Sequence, residues 1–132
     1  MPIHQRWDPE HDTLFVRFEP PLSAEVFLAW AQALNEDETL PASRRQLIDL
    51  SAVEETDIKG ESLRELADAF RDQDRSRGGQ TRIALLVSRD VVFGLGRMYQ
   101  AYRGEDAVDL EVFRDGLEAH RWLDLPDDAP GA

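Results

Sequence analysis

Gln46-Leu47-Ile48-Asp49-Leu50-Ser51-Ala52-Val53-Glu54-Glu55-Thr56-Asp57-Ile58-Lys59-Gly60 is the stretch whose reading decides the fold. An apolar run ends in an acid, a polar loop follows, and a glycine opens a long amphipathic segment. That pattern is a buried strand, about 45–50, feeding a helix. The helix is predicted over about 60–76, with Leu63, Leu66, Ala67 and Phe70 on its buried stripe and Glu61, Arg64, Glu65, Asp68, Arg71 and Asp72 outside. Gly78-Gly79 is expected to close it.

Upstream, residues 3–7 and 13–18 flank Asp8-Pro9-Glu10-His11-Asp12, and proline with acids between two alternating runs reads as a hairpin. Leu14, Val16 and Phe18 share one face of the second strand, and Phe15 points to the other. Pro20-Pro21 stops that strand. Ser23 then reads as the N-cap of a first helix over about 23–35, with Val26, Phe27, Trp30 and Leu34 at helical spacing.

Downstream, the nearly continuous apolar run Arg82-Ile83-Ala84-Leu85-Leu86-Val87 suits a central strand covered on both faces. Ser88 is expected to cap a third helix, about 89–103, with Asp90 favouring its dipole. Leu110-Glu111-Val112-Phe113 is a short last strand. Asp115-Gly116-Leu117-Glu118 has the form of a capping box and starts a final helix to about Leu123, with Ala119, Trp122 and Leu123 inward. The expected fold is α/β, ordered ββαβαβαβα: a mixed sheet of about five strands with parallel crossovers and about four helices. Residues 1–125 form one domain, and 126–132 are expected to be a flexible tail.

The chain has 132 residues, enough for one core without a staple. It has no cysteine, which excludes disulfides, thiolate metal sites and a cysteine nucleophile. The N-terminus lacks the apolar segment of a signal peptide, and no run reaches the roughly 18 apolar residues of a membrane span. A cytoplasmic location is the expectation. A net charge of −12 repels phosphate backbones and anionic lipid, and the arginines are dispersed, with Lys59 the only lysine, so nucleic-acid binding is not expected. No G-x-S-x-G, H-E-x-x-H or P-loop pattern is present, so no catalytic residue, cofactor or enzymatic activity is expected.

Asp49-Leu50-Ser51-x-Val53-x-x-x-Asp57-x-x-Gly60 resembles the strand–loop–helix signature of STAS domains, the fold of bacterial anti-sigma-factor antagonists. The second half resembles the narrower SpoIIAA-like (STAS/SEC14-type) group of small bacterial proteins. It does so through Ala84-Leu85-Leu86-Val87, Phe93-Gly94-Leu95-Gly96-Arg97-Met98-Tyr99, and Val112-Phe113-Arg114-Asp115 leading to Glu118-Ala119-x-x-Trp122-Leu123. Together these span about residues 45–123. The resemblance implies a mixed sheet with helices packed on it and a non-enzymatic regulatory or ligand-sensing role. In the antagonists, a serine just after the aspartate of the loop is phosphorylated by a partner kinase. Here Ile58 and Lys59 follow Asp57, and neither has a hydroxyl, so the resemblance does not carry the phosphoswitch. Thr56, Ser51 and Ser62 are nearby hydroxyls outside the matching positions.

Two sets of site residues follow. Asp57, Ile58, Lys59 and Gly60 stand at a helix start, where free N–H groups attract anions, and with Arg97 on the third helix they are the candidate partner-binding surface. Helix capping by Asp57 is the competing structural role. Gly94, Met98, Tyr99 and Tyr102 are a candidate pocket for a small apolar, lipid-like ligand, the competing role being core. Gly94-Leu95-Gly96 is no phosphate loop, because a Tyr stands at position 99. Two glycines inside a helix cost about 1 kcal/mol each against alanine. Close approach to a neighbour, to a second copy in a homodimer or to a ligand would offset that cost, and close packing is the expected compensation. His4, His11 and His120 are scattered. His4 and His11 could meet across the hairpin beside Asp8, Glu10 and Asp12, but a metal site is not expected from that spacing.

Overall fold

The computed structural model describes residues 3–37, 39–40, 45–77, 81–103 and 108–128. The chain is an α/β domain, ordered ββαβαβαβα: β1 (Ile3–Asp8), β2 (Thr13–Phe18), α1 (Ala24–Glu36), β3 (Arg45–Asp49), α2 (Gly60–Arg77), β4 (Thr81–Leu86), α3 (Asp90–Arg103), β5 (Val108–Phe113) and α4 (Gly116–Trp122). Gly78 and Gly79, expected to end α2, lie outside the described residues.

The five strands stand in sequence order, β1 to β5, in one sheet. β1 runs antiparallel to β2, and the other three pairs are parallel. A parallel neighbour needs a crossover helix. Three successive crossovers that step the same way with one hand bring their helices to the same face. Accordingly, the larger core joins α1, α2 and α3 to Leu14, Val16, Phe18, Ile48 and Leu85 of the sheet. Period-two alternation sends Phe15, Leu47, Ala84 and Leu86 to the opposite face, where Ala119, Leu123 and Leu125 cover them. β4 is flanked by β3 and β5 and covered on both sides, which is why its sequence is nearly all apolar.

Aromatic packing anchors α1. Phe18 stacks on Phe27 at 5.4 Å and meets Trp30 edge-on at 5.3 Å. Such pairs contribute about 0.5–1.5 kcal/mol each beyond their buried area. The Trp30 indole N–H donates to Gln5 Oε1 at 2.8 Å, which satisfies a buried donor and ties α1 to β1.

The caps match the sequence unevenly. Ser23 Oγ accepts from the Val26 amide at 3.1 Å, as its position predicts. Asp115 accepts from the Leu117 amide at 2.9 Å, but exposed Glu118 makes no return bond among the described residues. Ser88 is not a cap: α3 begins at Asp90, and the Ser88 hydroxyl donates to the Ser51 carbonyl at 2.7 Å. α4 ends in a Schellman turn. Leu125 N–H donates to the His120 carbonyl at 2.8 Å and Asp124 N–H to that of Arg121 at 3.1 Å, with Asp124 left-handed at φ 58°. Leu125 thereby folds back into the second core. Beyond it, Asp127 is held by two hydrogen bonds from Arg121, at 3.2 Å each.

Candidate interaction surface

The β3–α2 loop runs over the C-terminal ends of the parallel strands, where open α/β sheets commonly bind ligands. It is pinned along its length. Asp49 Oδ1 accepts from the Ser51 amide at 2.9 Å and from the Ser51 hydroxyl, closing a tight turn after the strand. Ser88 holds the Ser51 carbonyl, and Arg89 pairs with Glu54 at 2.8 Å, so both join the loop to the start of α3. The Glu54 carboxylate raises the Arg89 guanidinium still further above its ordinary value, by hydrogen bond first and charge second. Thr56 forms a bridge with Leu22, donates to its carbonyl at 2.8 Å and accepts from the Ile58 amide at 3.2 Å. These anchors tuck Ile58 into the core at 8 % exposure and leave its neighbours Asp57 and Lys59 exposed.

Asp57 is not the helix cap. The first α2 bond runs from the Leu63 amide to the Lys59 carbonyl at 3.0 Å, so Lys59 holds the cap position. Asp57 makes no hydrogen bond among the described residues. The sequence placed the right residues in the loop, but the helix starts too late for the acid to reach its amides.

α3 lies beside this loop and is split by its own periodicity. Val92, Gly96, Tyr99 and Arg103 face the core. Val91 and Met98, seven residues apart and so on one side of the helix, are 58 % and 41 % exposed. Gly94 lies with them on the outer side, exposed, and a Cβ built there meets nothing within 4 Å. The Gly60 Cβ position is 3.6 Å from Met98 Sδ and 4.0 Å from the Tyr102 hydroxyl, and the Arg64 guanidinium sits 5.3 Å over the Tyr102 ring. The start of α2 therefore meets the outer side of α3 at Met98 and Tyr102, and exposed Lys59 directly precedes Gly60 at that junction.

This regroups the residues the sequence singled out. Gly60, Met98 and Tyr102 come together, although they belong to different predicted sets. Arg97 does not join them. It lies on the far flank of α3, beside Gln100 and Ala101, over an open cleft along the β5 edge that also includes Leu110 and Trp122. Tyr99 does not face the same space as Met98. At 6 % exposure it is core, edge-on to Phe27 at 6.5 Å, with its hydroxyl accepting from buried Arg103 at 2.8 Å. The two glycines also differ: a Cβ at Gly96 would lie 3.2 Å from both Val112 methyls, so only Gly96 has the close contact that offsets its helix cost.

Tyr99 and Gly96 do line an apolar pocket, with Leu22, Phe27, Ile58 and Val92 among its walls, and its free volume is about 50 Å³. A cavity of about 150 Å³ takes one benzene ring, so this pocket is small beside what a lipid-like ligand fills.

The histidines do not converge as the hairpin spacing allowed. His4 is paired in register with Arg17 and approaches Glu19 at 3.7 Å. His11 Nδ1 lies 2.7 Å from Asp8 Oδ2 inside the turn. Asp8, Glu10 and His11 could present three ligand atoms within 4.8 Å of one another. Asp8 Oδ1 already accepts from the Glu10 and His11 amides, and both Asp8 oxygens serve to close the hairpin. The His11 hydrogen bond holds the Asp8 carboxyl below its ordinary range, against the opposing effect of burial. His120 is buried at 3 % exposure, with neither ring nitrogen hydrogen-bonded among the described residues. Its spacing in the sequence carried no signal of that burial.

No family model matches the chain, and no curated protein matches it. Among the described residues, no helix is long and apolar enough to cross a membrane.

Proposed function

We propose that this chain is a non-enzymatic, STAS-like regulatory module that works by binding a protein partner in the cytoplasm. The observation that carries the reading is the exposed apolar side of α3, Val91 and Met98, which meets the start of α2 at Met98, next to the exposed charge of Lys59. Large exposed apolar side chains grouped beside free charges are characteristic of interaction sites. Two of the hydroxyls near the regulatory position of STAS domains are engaged: Thr56 bonds Leu22 and Ile58, and Ser51 bonds Asp49. A fixed positive charge at Lys59 cannot be toggled as a phosphate can, so partner choice is constitutive or set by a ligand. The alternative, a carrier of a small apolar molecule, has an apolar pocket of about 50 Å³ beneath it among the described residues and is the weaker reading.

Partner capture from lysate, comparing wild type with Lys59→Glu and Met98→Glu, tests the surface. Both variants are expected to fold and to lose capture, because exposed substitutions usually change stability little. Undiminished capture by both removes this surface from the reading. Phosphate on Thr56 or Ser62 in cells would restore a kinase switch.

A further inference from the structure

We propose that the outer side of α3 is covered by a second copy of this chain, the two helices crossing antiparallel about a two-fold axis at Gly94. This rests on reading that side as an interaction surface and deepens it, naming a second copy as the protein partner that covers Val91 and Met98. Three features of α3 converge on the same point. Gly94 is exposed and touches nothing, so its own chain gives no reason for a glycine there; an approaching backbone does. Val91 and Met98, the two most exposed large apolar side chains among the described residues, are centred on Gly94, so an antiparallel copy sets each Val91 against the Met98 of the other copy. Asp90 and Arg97, also seven apart, share one flank of the helix and are likewise centred beside Gly94. In antiparallel packing like flanks meet, so each Asp90 faces the Arg97 of the other copy.

The charges are free to do this. Among the described residues Arg97 has no ion-pair partner. The Asp90 side chain is 90 % exposed, and its bond from Arg114 at 2.6 Å leaves lone pairs open. The surface is thus complementary to itself in shape, apolar pattern and charge, as an isologous interface requires. α3 has 14 residues, about 21 Å of helix. One such helix covers less than the roughly 800 Å² per partner of a standard interface, so the dimer is weak and concentration-dependent.

Sedimentation equilibrium of the full chain over rising concentration reads the assembly. A two-chain species is expected. Asp90→Arg and Arg97→Asp should each weaken it about tenfold or more, because each sets like charges opposite one another twice. Mixing the two variants should restore it as a heterodimer, identified by native mass spectrometry, since both cross-helix pairs then again join opposite charges. Gly94→Leu should abolish it while circular dichroism shows the fold intact. A wild type that stays monomeric at its highest soluble concentration overturns the proposal, as does a dimer that survives Gly94→Leu or a mixture that recovers nothing. A monomer that still captures a partner through Lys59 leaves the earlier reading standing. A dimer indifferent to Lys59→Glu in capture does the reverse.

Discussion

Gly94 and Gly96 offer a controlled measurement of one tertiary contact. They stand two residues apart in the same helix, so replacing either by alanine gains about the same helix propensity, ~1 kcal/mol. At Gly94 the new methyl meets nothing within 4 Å; at Gly96 it lies 3.2 Å from both Val112 γ-methyls. A contact that tight must push on a side chain held between α3 and β5, and overpacking of this kind costs ~1–3 kcal/mol. Gly94→Ala should therefore stabilise the monomer by about 0.5–1 kcal/mol, and Gly96→Ala should range from neutral to ~2 kcal/mol destabilised. The difference between the two variants is the overpacking cost itself. In a domain of this size it separates their melting temperatures by roughly 4–11 °C. Urea unfolding followed by circular dichroism, at a dilution where the chain is monomeric, supplies the stabilities. Val112→Ala removes the obstructing methyls, and in that background Gly96→Ala should stabilise as Gly94→Ala does. Equal stability of the two glycine variants, or a Gly96→Ala cost that persists beside Val112→Ala, refutes the reasoning.

Asp8→Asn should lower stability at neutral pH and flatten its dependence below about pH 4. The folded-state pKa of Asp8 is lowered by His11, so its contribution is present above the unfolded value and lost as pH falls through the folded one; identical acid-unfolding curves for variant and wild type would rule this out. Asp124→Gly should stabilise by about 0.5–1 kcal/mol, because glycine adopts the left-handed conformation of the Schellman turn at no steric cost. The exposed Arg82–Asp124 approach at 3.7 Å that it removes contributes little, and a variant less stable than wild type in guanidinium would contradict this. Lys59→Glu should leave the melting temperature unchanged while abolishing partner capture, which separates its role at the surface from one in folding.

The element order was legible because β4 and β3 announce themselves by hydrophobicity and α1 to α3 by stripe, and those signals are set by burial on this very fold. Boundaries shift by a residue or two where a loop contact outweighs a local cap. Ser88 has the right side chain for a cap, but it serves the Ser51 carbonyl across the gap between two loops, a partner 37 positions away that no window of sequence shows. Gly60, Met98 and Tyr102 each stand out in the sequence, but their meeting does not, because it depends on how α2 lies against α3. Arg97 and Met98 are neighbours in sequence but face different surroundings. The helix turns them about 100° apart, so one overlooks the β5 edge and the other the start of α2. Asp124 carries no glycine to mark its turn, and His120 no apolar side chain to mark its burial, so the close of α4 could be read only in three dimensions.

The strand order carries a consequence for how the chain comes off the ribosome. Each strand pairs with the one synthesised just before it, from the β1–β2 hairpin through β5. No strand waits for a distant partner, and each crossover helix emerges between two strands that are already to be neighbours. Such a sheet can grow vectorially, one βα unit at a time, with its loop-closure entropy met in small instalments. Until the next strand arrives, the newest one is an uncovered edge. During synthesis the segment most exposed to mispairing is therefore β4, apolar on both faces, in the interval before β5 and α4 close over it.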